Sequence, residues 1–176
     1  MTLLIRRYRG SDLDAVCSLH RLCLAQVGLT SGDGVYYEDD FPHIEELYLA
    51  GRGEFLVGEL LQDDRRRVVA MGALRRVDDR VAEMCRLRVH PETQRRGYGE
   101  RVVAVLEHRA AELGYATVRC DTTLNQRAAM ALYAKRGWQE IARTEVGALV
   151  VVYFQKPLIN TPDRYVAYIQ TRGGRV

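Results

Sequence analysis

The sequence predicts one α/β domain built on a mixed sheet of about seven strands. Three observations carry that expectation. Short apolar runs joined by turn residues between Glu54 and Val89 read as a meander of antiparallel strands. From Val81 to Thr122 the pattern changes to strand, glycine loop, helix and strand, a unit whose two strands should be parallel. Neither an internal repeat nor a composition break divides the 176 residues, a length that suits a single core.

In chain order, Leu3–Tyr8 reads as a first strand. Ser11-Asp12 offers a helix N-cap, and Leu13, Val16, Leu19, Leu22 and Cys23 then recur at helical spacing up to Gly28. Thr30–Asp40 is a loop by its glycines and polar residues. Pro42 opens a second helix with Ile44, Leu47 and Tyr48 on one face. Strands follow at Glu54–Leu60 and Arg67–Val77, joined by a turn at Gln62-Asp63-Asp64-Arg65, and then at Val81–Val89. A helix from Tyr98 to Leu113 buries Val102, Val103, Leu106, Ala110 and Leu113, and Gly114 stops it. The strand Ala116–Thr122, a helix from Asn125 or Gln126 to Arg136, and strands Trp138–Thr144 and Ala148–Lys156 complete the domain, which is expected to span 1–158. Residues 159–176 form a C-terminal tail.

Composition narrows the function classes. The chain is 47% hydrophobic and 28% charged, with a net charge of +3, so neither a disordered nor a membrane protein is indicated. The start, Met1-Thr-Leu-Leu-Ile-Arg-Arg-Tyr, meets charge too soon for a signal peptide, which makes a cytoplasmic location the expectation. The arginine clusters lack the dense basic face with interleaved aromatics that nucleic-acid binding needs. Cys17, Cys23, Cys85 and Cys120 form no Cys-x-x-Cys pair, and the four histidines do not cluster, so no metal site is expected.

The chemistry concentrates at Gln94-Arg95-Arg96-Gly97-Tyr98-Gly99, which follows a strand end at His90-Pro91 and opens directly into a helix. Glycine lets backbone approach a ligand, and the first turn of a helix presents unpaired N–H groups at the positive end of its dipole. Such a place suits a phosphate or pyrophosphate. No Walker run Gly-x-x-x-x-Gly-Lys-Ser/Thr is present. A dinucleotide fold would use Gly97 and Gly99, with Asp121 as the ribose acid. Val102 stands where the third glycine belongs, however, and the loop from His90 to Arg96 is too long.

Gln94-x-x-Gly97-x-Gly99 after Arg88-Val89-His90-Pro91 resembles the acyl-CoA loop of the GNAT family of N-acetyltransferases. A second run supports the likeness: Gln126, Ala129, Leu132-Tyr133 and Gly137-Trp138 occupy the places of a further family motif. Many members have Asn where Gln126 stands, and Asn125 lies one residue earlier, so either amide is a candidate for the cofactor contact. The resemblance covers roughly Leu3 to Leu158 on the usual domain scale. It implies a mostly antiparallel sheet with a splayed central parallel pair and about four helices. The implied cofactor is acetyl-CoA, and the implied reaction is direct acetyl transfer to a small cationic amine or a protein amino group. A non-catalytic acyl-CoA sensor is the alternative, and a homodimer is compatible with the fold.

Residue by residue, the resemblance implies that backbone N–H groups from Arg95 through Arg96, Gly97, Tyr98 and Gly99 to Glu100 hold the pyrophosphate, with the Arg95 and Arg96 side chains adding charge. Main-chain groups at Leu87, Arg88 and Val89 would bond the pantetheine arm, while Ala129 and one of Asn125 and Gln126 complete the cofactor wall. Tyr133 would face the departing thiolate as a proton donor, against the plainer reading of a core tyrosine. Glu83 is the candidate base. It is expected on the strand face of Cys85, Leu87 and Val89, or else as an exposed or Arg86-paired glutamate. Tyr36, Tyr37 and Glu38 are candidate acceptor contacts, in an acidic and aromatic stretch that would suit a cation.

Overall fold

A computed structural model describes residues 2–30, 32, 37–62 and 65–158. The turn at Asp63-Asp64, the candidate Tyr36 and the tail 159–176 lie outside the described residues. Strands β1 (Leu3–Arg7), β2 (Glu54–Gln62), β3 (Arg65–Arg76), β4 (Val81–Val89), β5 (Thr117–Thr123), β6 (Gln139–Val146) and β7 (Leu149–Pro157) form one sheet in the order β1-β2-β3-β4-β5-β7-β6. Every neighbouring pair is antiparallel except β4 and β5. Helices α1 (Leu13–Gln26), α2 (Tyr98–Glu112) and α3 (Arg127–Lys135) cover the two faces, together with a 3-10 turn at Phe41–His43 that runs into a π-helical turn at Glu45–Leu49.

One core layer lies between the sheet and α2 and α3, centred on Leu74, Met84, Val102, Leu106 and Phe154. The other joins α1 and the 41–49 segment to β2–β4 through Val16, Phe41, Ile44, Phe55 and Met71. Gly72 sets the spacing of the first layer. A Cβ there would stand 2.9 Å from both Leu106 and Val102 of α2, so only glycine lets the helix sit this close.

The expected second helix is realised differently. The Ala50 N–H reaches back to the Glu45 carbonyl at 2.9 Å, a π-type closure. The wider turn buries Ile44 and Tyr48 but leaves Leu47 54% exposed, so the three residues do not share a buried face.

The feature that positions the site is the parting of β4 and β5. Their ladder holds Val81–Glu83 against Thr117–Arg119 and then stops. On its other side β4 bulges: Ala73 pairs with Cys85, Met71 pairs with Arg88, and Arg86 takes a left-handed φ of 56°. One extra residue reverses the alternation of side chains. Glu83 and Cys85 therefore lie on the α1 face, whereas Leu87 and Val89 pack against the α2 layer. This corrects the expectation that all four share a face.

Candidate active site

Two cavities meet where β4 and β5 separate. The larger, about 570 Å³, runs between the C-terminal half of β4, the first turn of α2, and α3. Leu87, Arg88, Val89, Gln94, Arg95, Gly97, Tyr98, Gly99 and Glu100 line one wall, and Asn125, Gln126 and Ala129 the other. Arg96 is not among the lining residues. The smaller, about 310 Å³, lies on the α1 side and shares Leu87, Arg88, Gln126 and Ala129 with the larger. Tyr133 and Glu83 both open onto the smaller one.

The glycine loop is shaped by two left-handed residues, Arg95 at φ 61° and Gly97 at φ 78°, with Gly97 as the N-cap of α2. Gly97 takes this conformation without the cost that a side chain would carry. At Gly99 an added Cβ would meet Val89 and Leu132 at 3.4 and 3.5 Å, so glycine keeps the floor between α2 and α3 open. The N–H groups of Tyr98, Gly99 and Glu100 begin the helix and have no intrahelical acceptors. An anionic diphosphate fits this cradle on charge and on space.

Gln94 serves the loop rather than its surface alone. Its Nε2 donates to the Val89 carbonyl at 3.0 Å and to Gln26 Oε1 at 2.8 Å, and Gln26 Nε2 donates back at 3.2 Å. The Cys23 thiol donates to the same Val89 carbonyl at 3.3 Å. The end of α1 is thus tied to the loop and to the strand that flanks the large cavity. Sequence reading missed Gln26 because its partner lies 68 residues away.

Tyr133 is 3% exposed and stacks against Trp138 and Phe154 at 5.2 and 5.5 Å between ring centroids. Burial, and then the nearby Cys120 thiol, push its phenol well above the ordinary tyrosine range. It is therefore a protonated donor throughout the neutral range. Cys85 and Cys120 are raised too, chiefly by burial and with Cys85 reaching about 12, so neither is a ready thiolate.

Glu83 is paired with the Arg75 guanidinium, its neighbour across the β3–β4 ladder, and not with Arg86. Asp121, one strand over, also opens onto the small cavity. Burial, followed by the Glu83 charge, lifts its carboxyl above the usual range. Arg86 instead forks onto Asp40, with Nε–Oδ2 at 2.9 Å and Nη2–Oδ1 at 2.5 Å, and the Tyr48 hydroxyl donates to the same carboxylate. Tyr37, Asp39 and Asp40 line the small cavity. Glu38 does not line it; its carboxylate receives Arg21 of α1 at 2.6 Å.

The acetyltransferase (GNAT) family pattern matches residues 14–138. The chain belongs to the GNAT acetyltransferase family. No curated protein matches the sequence significantly. Among solved structures, a GNAT-family acetyltransferase of Staphylococcus aureus is similar at TM-score 0.75 and 15% identity, covering 90% of this chain and 100% of its own. The yncA protein of Salmonella typhimurium, solved with its cofactor acetyl-CoA, is similar at TM-score 0.69 and 17% identity over 93% of this chain and 99% of its own. A phosphinothricin acetyltransferase of Sinorhizobium meliloti, in complex with acetyl-CoA, has TM-score 0.71 and 16% identity over 90% of this chain and 89% of its own. At these identities the likeness is one of fold. The GNAT sheet, with its single parallel pair, is the architecture found here.

Proposed function

We propose that this acetyltransferase moves an acetyl group from acetyl-CoA directly to a primary amine, on a small cationic molecule or a protein. The observation that carries the reading is the junction of the two cavities at the β4–β5 gap, with a protonated Tyr133 and the Glu83 carboxylate on the same side of it. Two fold neighbours were solved with acetyl-CoA, which supports the choice of donor.

In this reading the loop N–H groups from Arg95 to Glu100 bind the diphosphate, with the charge of Arg95 beside them. The main chain of Leu87, Arg88 and Val89 lies beyond the end of the β4–β5 ladder and orients the donor arm as a bonded strand would. Acetyl-CoA supplies an activated thioester carbonyl. Glu83, through water or directly, takes the proton that an ammonium must lose before its nitrogen can attack. The new C–N bond replaces the C–S bond, and the Tyr133 hydroxyl donates to the sulfur as it acquires charge. Asp39 gives the acceptor side a carboxylate on which a cation is favoured, while Asp40 beside it is held by Arg86.

Thermal shift separates the donor classes: acetyl-CoA should raise the melting temperature of the full chain, and NAD should not. Free-thiol release across an amine and peptide panel then separates a transferase from an acyl-CoA sensor. The absence of any shift with either CoA or acetyl-CoA would overturn the reading.

A further inference from the structure

The small cavity does not end at Glu83. A further cavity of about 480 Å³ continues along β5, β6 and β7, and Arg75, Glu83 and Asp121 line both. Val77, Ile141 and Tyr153 give it apolar surface beside the charged Arg75, Arg76, Glu83, Arg119 and Asp121. Val77 and Ile141 are 53% and 45% exposed, large hydrophobic groups left facing solvent at the mouth.

The charges around this chamber divide into those already satisfied and those that are not. Arg75 is held by Glu83, and Arg76 by Asp79 at 2.7 Å. Asp121 and Arg119 have no ion pair or hydrogen bond to another side chain among the described residues. They are two residues apart on β5, so they share a face and lie about 7 Å apart along the strand. Their register partners on β7 are the uncharged Tyr153 and Gln155, while on β4 Arg119 faces Glu83, whose carboxylate is bonded to Arg75. An exposed carboxylate and an exposed guanidinium, neither bonded to another side chain among the described residues, therefore stand side by side on one face of β5. The anion is the one nearer the β4–β5 gap, because the parallel ladder still includes Arg119 but no longer Asp121.

We propose that this chamber seats the acceptor and selects an amino carboxylate with an apolar side chain. The ammonium rests on Asp121 beside Glu83, the carboxylate on the Arg119 guanidinium, and the side chain against Val77, Ile141 and Tyr153. The inference rests on the acetyl-transfer reading above. Its polarity is the useful one, since the nitrogen is held at the gap and the acid points away from it. A polyamine would meet the Arg76 and Arg119 guanidinium groups away from the junction, and repulsion there works against it.

The test uses the full chain, saturating acetyl-CoA, and thiol release with leucine and phenylalanine, their primary amides, phenethylamine, spermidine and a tripeptide ending in a free amine. The expected result is a kcat/KM for the free amino acids at least about 10-fold above that for their amides and for phenethylamine. Arg119→Ala should raise KM for the amino acids roughly 10- to 100-fold with little change in kcat, and should abolish the preference for acid over amide. Arg119→Lys, which keeps the charge but loses the fork, should recover part of it. Equal use of amide and acid, a preference for spermidine or the peptide, or an unchanged KM in Arg119→Ala would overturn the proposal. If acetyl-CoA raises the melting temperature and no amino carboxylate is acetylated, this inference alone falls. If acetyl-CoA causes no shift, the acetyl-transfer reading falls first.

Discussion

Arg86 and Asp40 lock the acceptor wall to the strand bulge. The guanidinium of Arg86, carried in a left-handed backbone conformation, meets the Asp40 carboxylate with two parallel bonds at 2.9 and 2.5 Å. The two side chains are 16% and 15% exposed, and the Arg86 guanidinium also lies 5.0 Å over the Phe41 ring. One pair thus holds the 39–49 segment, the bulge that redirects β4, and the mouth of the small cavity in register.

Breaking that pair should therefore affect both stability and acceptor binding. Asp40→Asn leaves a half-buried guanidinium without its counter-charge, a loss of roughly 1.5–3 kcal/mol. Chemical denaturation should show a lower midpoint with an unchanged slope. Acceptor KM should rise while acetyl-CoA affinity stays near the wild-type value, because the larger cavity does not include this segment. A loss of acetyl-CoA affinity equal to the rise in acceptor KM would contradict that division.

The order of elements was legible in the sequence because it rests on periodicity and turn chemistry. Val81–Val89 was placed to the residue, and Gly114 and Gly137 end their helices at φ 84° and 78°. The glycine loop was legible because Gly97 and Gly99 have few other uses at a helix start. What stayed hidden depends on partners distant in the chain. The bulge at Arg86 arises in the β3–β4 pairing, and its one mark in the sequence is Gly72 on the facing strand, between Met71 and Ala73. The same bulge decides which face Glu83 occupies. Glu38 lies in an acidic run that looks like a binding wall, yet it turns to Arg21, 17 residues earlier.

Glu107 offers a pH prediction. Its buried carboxylate receives Arg136 at 2.6 Å, Trp138 Nε1 at 2.8 Å and Lys156 Nζ at 2.9 Å. Burial alone would raise its pKa, but the bonds from Arg136 and Lys156 outweigh it and hold the group below the ordinary glutamate value. A depressed folded pKa contributes stability that is fully present above the unfolded value of about 4.3 and is lost as the pH falls through the folded one. Glu107→Gln should lower the melting temperature at pH 7 and flatten its fall below about pH 4.3. Parallel acid melting curves for the two proteins would exclude this role. The site is affected too, because Arg136 and Trp138 follow directly on the helix that carries Tyr133.

The Gln26–Gln94 bridge predicts a different separation. Gln94 bonds both Gln26 and the Val89 carbonyl, so Gln94→Ala frees the glycine loop from α1 without touching the 39–49 segment. Acetyl-CoA affinity should weaken about 3- to 10-fold, in keeping with one or two neutral hydrogen bonds. Gln26→Ala should give a smaller change in the same direction, since the bond to Val89 survives. Isothermal titration with acetyl-CoA checks both. Equal affinity in all three proteins would mean that the loop holds its shape alone.

Tyr133→Phe isolates the proton donor. The phenyl ring keeps the contacts with Trp138 and Phe154, so folding should be conserved and the hydroxyl alone removed. Turnover at saturating substrates should fall about 10²-fold or more, the usual reach of one positioned acid, while acetyl-CoA affinity stays within a factor of a few. Because burial raises the phenol well above its ordinary range, the wild-type rate should show no alkaline limb from Tyr133 near pH 9–10, where a free tyrosine would begin to ionise. Glu83→Gln should lower turnover as well, because an amide cannot take the ammonium proton. An unchanged rate in Tyr133→Phe would leave the residue as a core tyrosine that packs α3 onto the sheet.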